Sequence, residues 1–173
     1  ADDVANVAAD NPKVPFAVID DPMLNFDTKP PSPRGDNIAG LTFAEEQGSF
    51  LVGVAAALTT KTKEVGFLGG VSGFGLIEKF QAGYEAGVKA VDPSIKVVSQ
   101  YITQFPDFDG FISPDRGKEI AAAMFDGGAD IVYAAAGSSG GGMFQAAKEY
   151  RDANGTTVWG IGVDSDQYNT VDP

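Results

Sequence analysis

Residues 128–150 read GADIVYAAAGSSGGGMFQAAKEY. The run 131–135 is short and apolar on both faces, as expected of a strand in a parallel sheet covered by helices on each side. Glycines and two serines follow at 137–142. Met143, Phe144, Ala147 and Tyr150 then recur at three- and four-residue spacing, which predicts an amphipathic helix. A strand that turns through bare backbone into a helix is the repeating half of an α/β fold, and it leaves that backbone open to whatever comes close.

The same alternation extends in both directions. Strands are predicted over 16–19, 38–43, 65–68, 96–103, 131–135 and 158–163. The helices between them use Phe50, Leu51, Val54, Ala57 and Leu58; then Leu76, Ile77, Phe80, Tyr84, Val88 and Val91; then Ile120, Met124 and Phe125. Thr42 with Glu45 fits a capping box, Ser113-Pro114 fits an N-cap with proline in the first turn, and Ser138 or Ser139 can cap the helix through Met143. Gly127-Gly128 and Asn154-Gly155 stop two helices. Residues 20–37 hold four prolines and no periodicity, so a long surface loop is expected there. Gly83 and Gly87, set among Ala82, Ala86 and Ala90, mark close helix packing, and Trp159 is expected in the core.

Composition narrows the chemistry. The 173 residues suffice for one ordinary domain or two small lobes, and 43% hydrophobic with 21% charged residues is ordinary globular usage. Twelve basic against 24 acidic residues give a net charge of −12, which repels phosphate backbones, so nucleic acid is not an expected partner. Neither cysteine nor histidine is present, which removes thiol catalysis, His and Cys metal sites and the Ser-His-Asp triad. The longest apolar run, 50–58, is far shorter than the ~20 residues of a membrane span. The chain opens inside what reads as a helix and closes at Val171-Asp172-Pro173, so a fragment is expected, with any signal peptide upstream.

Three strand ends carry the candidate chemistry. Gly69-Gly70-Val71-Ser72-Gly73-Phe74-Gly75 invites a dinucleotide reading, but the glycine order is G-x-x-G-x-G and no acidic residue ends the next strand. Gly137 to Gly142 lacks the lysine of a triphosphate cradle. At the third end, Gly160 to Gln167 contains Asp164, whose carboxylate can accept two hydroxyl hydrogen bonds from a sugar diol. The acidic spacing there fails the EF-hand calcium template. Asp107 and Asp109 read as solvated loop carboxylates, and paired carboxylates for glycoside hydrolysis remain a weak alternative. In open parallel sheets ligands bind beyond the carboxyl ends of the strands, where all three clusters sit.

Taken together, LTFAEEQGSFLVGVAAALTTKT, VGFLGGV, FQAGYEAGVKAVDPSIKV, GKEIAAAMFDGGADIVYAAAGSSGGGMFQAAKE and GIGVDSDQ closely resemble the basic membrane protein family of ABC-transporter substrate-binding lipoproteins. The resemblance covers nearly the whole chain. It implies a type I periplasmic-binding-protein fold, with residues 1–62 as part of a first lobe and 63–173 as most of a second. It implies a purine nucleoside or similar small polar ligand, an ABC permease as partner, no cofactor and no catalysis. The full-length protein would be an extracytoplasmic lipoprotein whose anchor lies outside this chain.

By that likeness Asp164 contacts the ribose, Gly137, Ser138 and Ser139 form the turn beside the base, Gly69, Gly70 and Val71 form another edge, and Phe43 and Gln47 approach from the first lobe. The family's first strand and helix, and a later segment with a ligand-contacting lysine, have no counterpart, so the isolated chain is expected to bind nucleoside weakly or not at all. An enzyme on a doubly wound sheet and the effector-binding core of a transcription regulator are the rival readings of the same fold.

Overall fold

A computed structural model describes residues 2–168; the closing residues 169–173 and Ala1 lie outside the described part. The chain forms two compact units, 1–44 and 45–173. In the first, helix α1 (Asp2–Asp10) precedes β1 (Phe16–Ile19), which pairs in parallel with β4 (Ile38–Leu41). The Pro-rich segment between them is not one uninterrupted loop. Leu24–Asn25 (β2) and Ser32–Pro33 (β3) pair as a small antiparallel ribbon. It is sealed by Met23, which is buried, and by Arg34, whose side chain donates to the Leu24 carbonyl.

The second unit is a parallel sheet in the order β6-β5-β7-β8, formed by β5 (Glu64–Ser72), β6 (Lys96–Gln104), β7 (Ile131–Ala135) and β8 (Trp159–Ile161). Central β5 is buried along seven of its nine residues, from Val65 to Val71, because it has a strand on either side and helices above and below. Val65 and Phe67 point to one face, where they join Ile131 and Tyr133 under α2 (Glu45–Thr59) and α3 (Gly75–Val91). Leu68 points to the other, with Val132 and Ala134 under α4 (Pro114–Asp126) and α5 (Gly140–Asn154). The alternation is the period-2 pleat of a strand packed on both faces.

The sequence reading puts a lobe boundary near residue 62, whereas the compact units part between Ala44 and Glu45. The reason is the α2–α3 contact. A Cβ on Gly83 would stand 2.1 Å from the Glu46 carbonyl oxygen, one on Gly87 2.0 Å from that of Phe50, and one on Gly53 2.1 Å from that of Tyr84. The two helices touch backbone to backbone, and α2 therefore belongs with the sheet that follows it. This bears out the close-packing reading of Gly83 and Gly87.

Several local expectations change. Helix α2 begins at Glu45, so that residue opens the helix and is not the third position of a capping box. Ser113 stands before Pro114 as expected, but its hydroxyl donates back to the Asp109 carbonyl and does not cap α4. Ser139 precedes α5 in helical backbone geometry and makes no capping bond. Gly155 ends α5 in the left-handed region, at φ 64°, as its stop signal predicts. Trp159 is not core: on the three-residue strand β8, at the edge of the order, it is 54% exposed.

Candidate functional site

Because all four strands of the second unit run the same way, their carboxyl ends share one edge of the sheet. Gly69, Gly70 and Val71 end β5, Gly137 to Ser139 follow β7, and Asp164 follows β8, on three adjacent strands. Gln47, expected from the first lobe, belongs to the second unit and is not among these strand ends: on the first turn of α2 it is exposed and lines a groove of about 590 Å3 with Phe50, Leu51 and, halfway along α3, Ala82 and Gly83. Phe43 belongs to the first unit and is exposed there.

The glycines are not bare in the way the sequence suggests. A Cβ on Gly70 would meet the Phe111 ring at 2.4 Å, and one on Gly137 would meet the Phe111 carbonyl oxygen at 3.1 Å. At Gly142 it would lie 1.9 Å from the Pro114 carbonyl oxygen, where α5 crosses α4. Gly69 faces Tyr101, and Gly69, Gly70 and Val71 are all buried. Much of the missing side-chain volume is therefore filled by the protein itself. Gly137 and Ser138 remain exposed at the turn, as does Asp164.

The loop that occupies those seats was not singled out as functional from sequence. After β6 the chain turns through Phe105 and Pro106 into a 3-10 turn, Phe108–Phe111. Phe74, Phe105, Phe108 and Phe111 form a chain of rings: Phe105 to Phe108 edge-on at 5.9 Å, Phe108 to Phe74 edge-on at 5.4 Å, Phe74 to Phe111 at 6.4 Å. Phe105 is 53% and Phe108 47% exposed. Aromatic faces left open beside strand ends are stacking surfaces for a flat ligand. The signal in QFPDFDGF is four aromatic or proline residues in a loop between strand and helix, beside acids that draw the eye first.

Hydroxyls pin this loop carbonyl by carbonyl. Thr103 donates to the Asp107 carbonyl at 2.5 Å and Ser113 to that of Asp109 at 2.7 Å. Ser139 donates to Gly110 and Ser138 to Phe111, each at 2.8 Å. Ser139 also accepts from the Ser113 backbone N–H at 2.8 Å and is fully buried. Both of its hydrogen-bonding directions are used inside the protein.

Electrostatics at the edge come from Asp164 and its neighbour Tyr133. Asp164 sits in left-handed backbone, φ 66°, at the turn after β8. Tyr133 lies under that turn with its hydroxyl 3.3 Å from that of Ser49. Burial pushes its phenol above the ordinary tyrosine value, the Ser49 hydrogen bond pulls it partly back, and the Asp164 charge adds to the rise. A second hollow, about 360 Å3, opens beside Asp164 between Phe144, Gly160 and residues 165–168. Among the described residues no cluster of acids is arranged to hold a metal ion, and no helix is long and apolar enough to cross a membrane.

The family described as ABC transporter substrate-binding protein PnrA-like, Bmp, matches residues 1–172. The chain belongs to the Bmp family. Its relatives include the CD4+ T-cell-stimulating antigen of Listeria monocytogenes, 40% identical over 169 residues, and the ABC transporter nucleoside-binding protein BmpA of Lactococcus lactis subsp. cremoris, 40% identical over 168. The matches cover 97% and 96% of this Bmp chain but 43% of each relative, so the chain spans a little under half their length. Among solved structures, an ABC transporter solute-binding protein of Aeropyrum pernix K1 superposes with a TM-score of 0.74 at 27% identity, over 96% of this chain and 44% of that one. The α/β architecture of solute-binding proteins expected from sequence is thereby established.

Proposed function

We propose that the protein carrying this Bmp chain is the extracytoplasmic receptor of an ABC importer and takes purine nucleosides. The observation that supports this best is the company on one sheet edge: exposed phenylalanine rings, the exposed Gly137-Ser138 turn and the exposed Asp164 carboxylate. A nucleoside has a flat apolar base and a vicinal diol. Rings suit the first and a carboxylate the second, because unpaired polar groups would penalise a ligand lacking the diol. The nucleoside-binding BmpA relative points the same way.

In this reading no bond is made or broken. Asp164 accepts the ribose hydroxyls, Phe105 and Phe108 stack on the base, and Gly137, Ser138, Gly69, Gly70, Val71, Gln47 and Phe43 shape the surroundings. Two lobes close on the ligand by a hinge, and the closed form is what a membrane permease recognises. A lipid anchor on the full-length protein would keep it at the outer face of the cytoplasmic membrane.

The test is to purify the full-length protein, denature it and identify released small molecules by mass spectrometry. A purine nucleoside in near-stoichiometric amount supports the assignment. If the protein emerges empty, a thermal-shift panel of nucleosides, sugars and amino acids decides, since occupancy raises the melting temperature. Stabilisation by sugars or amino acids alone would overturn the nucleoside reading.

A further inference from the structure

By family likeness Ser138 and Ser139 belong beside the base, yet the fully buried Ser139 spends its hydroxyl on Gly110 and Ser113, and Ser138 spends its own on Phe111. Two consecutive serines after β7 thus hold two consecutive carbonyls of the aromatic loop. The seat beneath is built for that loop. Gly70 and Gly137 leave room for Phe111, while a Cβ on Gly110 would stand 2.0 Å from the Gly70 carbonyl oxygen. The seated Phe111 ring packs on Phe74, and Phe74 on Phe108, so displacement of residues 110–111 is felt at the exposed rings.

We propose that Ser138 and Ser139 are positioning residues for ligand binding: they clamp the aromatic loop to the β7–α5 turn and so fix the rings of Phe105 and Phe108. The proposal rests on the nucleoside reading above for its ligand, but the clamp stands or falls separately. Loss of the Ser139 hydroxyl leaves the Gly110 carbonyl and the Ser113 N–H without partners, and the loop relaxes to satisfy them elsewhere. The rings then leave the geometry in which they stack. A ligand without a base does not sense the change.

The experiment uses the full-length protein with Ser139→Ala, Ser138→Ala, Phe108→Ala and the Ser139→Ala/Phe108→Ala pair. Adenosine and ribose are titrated calorimetrically, and hydrogen exchange of the 105–113 amides is followed. Ser139→Ala and Phe108→Ala each weaken adenosine by about tenfold, on the scale of one lost stacking contact. The pair weakens it by far less than the hundredfold product, because both remove the same stacking. Ribose affinity moves less than twofold, and loop amides exchange faster in Ser139→Ala while those of β5 do not. Ser138→Ala, which alters only an exposed hydroxyl, shows the same pattern more weakly and serves if Ser139→Ala folds poorly.

Multiplicative losses with ribose weakened equally would mean that the serines touch the ligand directly, and the proposal is then wrong. Unchanged loop exchange would also overturn it. If the wild type binds no adenosine, the nucleoside reading fails by itself, and the exchange data still decide the clamp: faster loop exchange supports it and unchanged exchange refutes it.

Discussion

Replacing Gly83 by alanine tests the backbone contact that fixes α2 to α3. In an isolated helix the change gains about 1 kcal/mol, because alanine loses less conformational entropy. Here the new methyl would lie 2.1 Å from the Glu46 carbonyl oxygen, and relief to an ordinary 3.4 Å contact requires a shift of about 1.3 Å between two helix backbones. Nothing flexible can move aside, since the atoms met are all main chain. A shift of that size forfeits dispersion along the whole contact, and overpacking of this kind costs typically 1–3 kcal/mol or more. A backbone-on-backbone clash falls at the upper end of that range, so destabilisation wins by about 1–2 kcal/mol net, which for a domain of this size lowers Tm by roughly 2–8 °C. Gly48→Ala is the control: it lies on the partner helix α2, but its Cβ meets nothing within 4 Å, so it should stabilise by about 0.5–1 kcal/mol. Urea unfolding of the three proteins reads both signs. If Gly83→Ala and Gly48→Ala shift the midpoint the same way, the packing argument is wrong.

Two further outcomes follow from buried groups. Asp130, 7% exposed, accepts from the Thr60 hydroxyl at 2.6 Å and from the backbone N–H groups of Lys61 and Thr62 at 2.6 and 3.2 Å, which ties the α2–β5 turn to the start of β7; Asp130→Ala should cost about 1.5–3 kcal/mol in denaturant unfolding. Tyr101 is pushed up to about 12 by burial, with Glu78 and Glu85 adding to the rise, and burial raises Tyr84 and Tyr133 as well. The folded protein therefore favours the neutral phenols. Their contribution is intact below the ordinary tyrosine value of 10.0 and is lost as pH rises from there through about 12. Phenolate absorbance and far-UV circular dichroism, recorded together in alkaline titration, should show these rings ionising with loss of structure. Early ionisation of all tyrosines in a still-folded protein would contradict the burial.

Strand positions were legible because each is an apolar run bounded by turn residues, and a sheet buried on both faces leaves that mark in Val65, Phe67, Ile131 and Val132 whatever packs on it. Gly83 and Gly87 were read correctly since small residues at helical spacing have few other uses. What the sequence hid depends on contacts between distant segments. Trp159 looks like core by residue type, but β8 is an edge strand of this unit, and edge position is a property of strand order. Ser138 and Ser139 look like caps because serine before a helix usually is one, yet carbonyls almost thirty residues earlier in the chain claim their hydroxyls. The glycines at strand ends signalled close approach without saying by what. Phe111 supplied the answer, and no local pattern links it to Gly70 or Gly137.

The seating of Phe111 separates the loop into an anchor and a tip. Gly110 and Phe111 are wedged against Gly70 and the β7–α5 turn, while Phe105, Phe108 and Ile112 face outward. Side chains of the second kind are held less tightly than those of the first, Phe108 the most constrained among them because its ring stacks on the seated Phe111 at 6.3 Å. A lineage adapting to a new cargo would thus retain the foot of this loop and vary its crown, and libraries built to redirect recognition should spend their diversity at 105, 108 and 112.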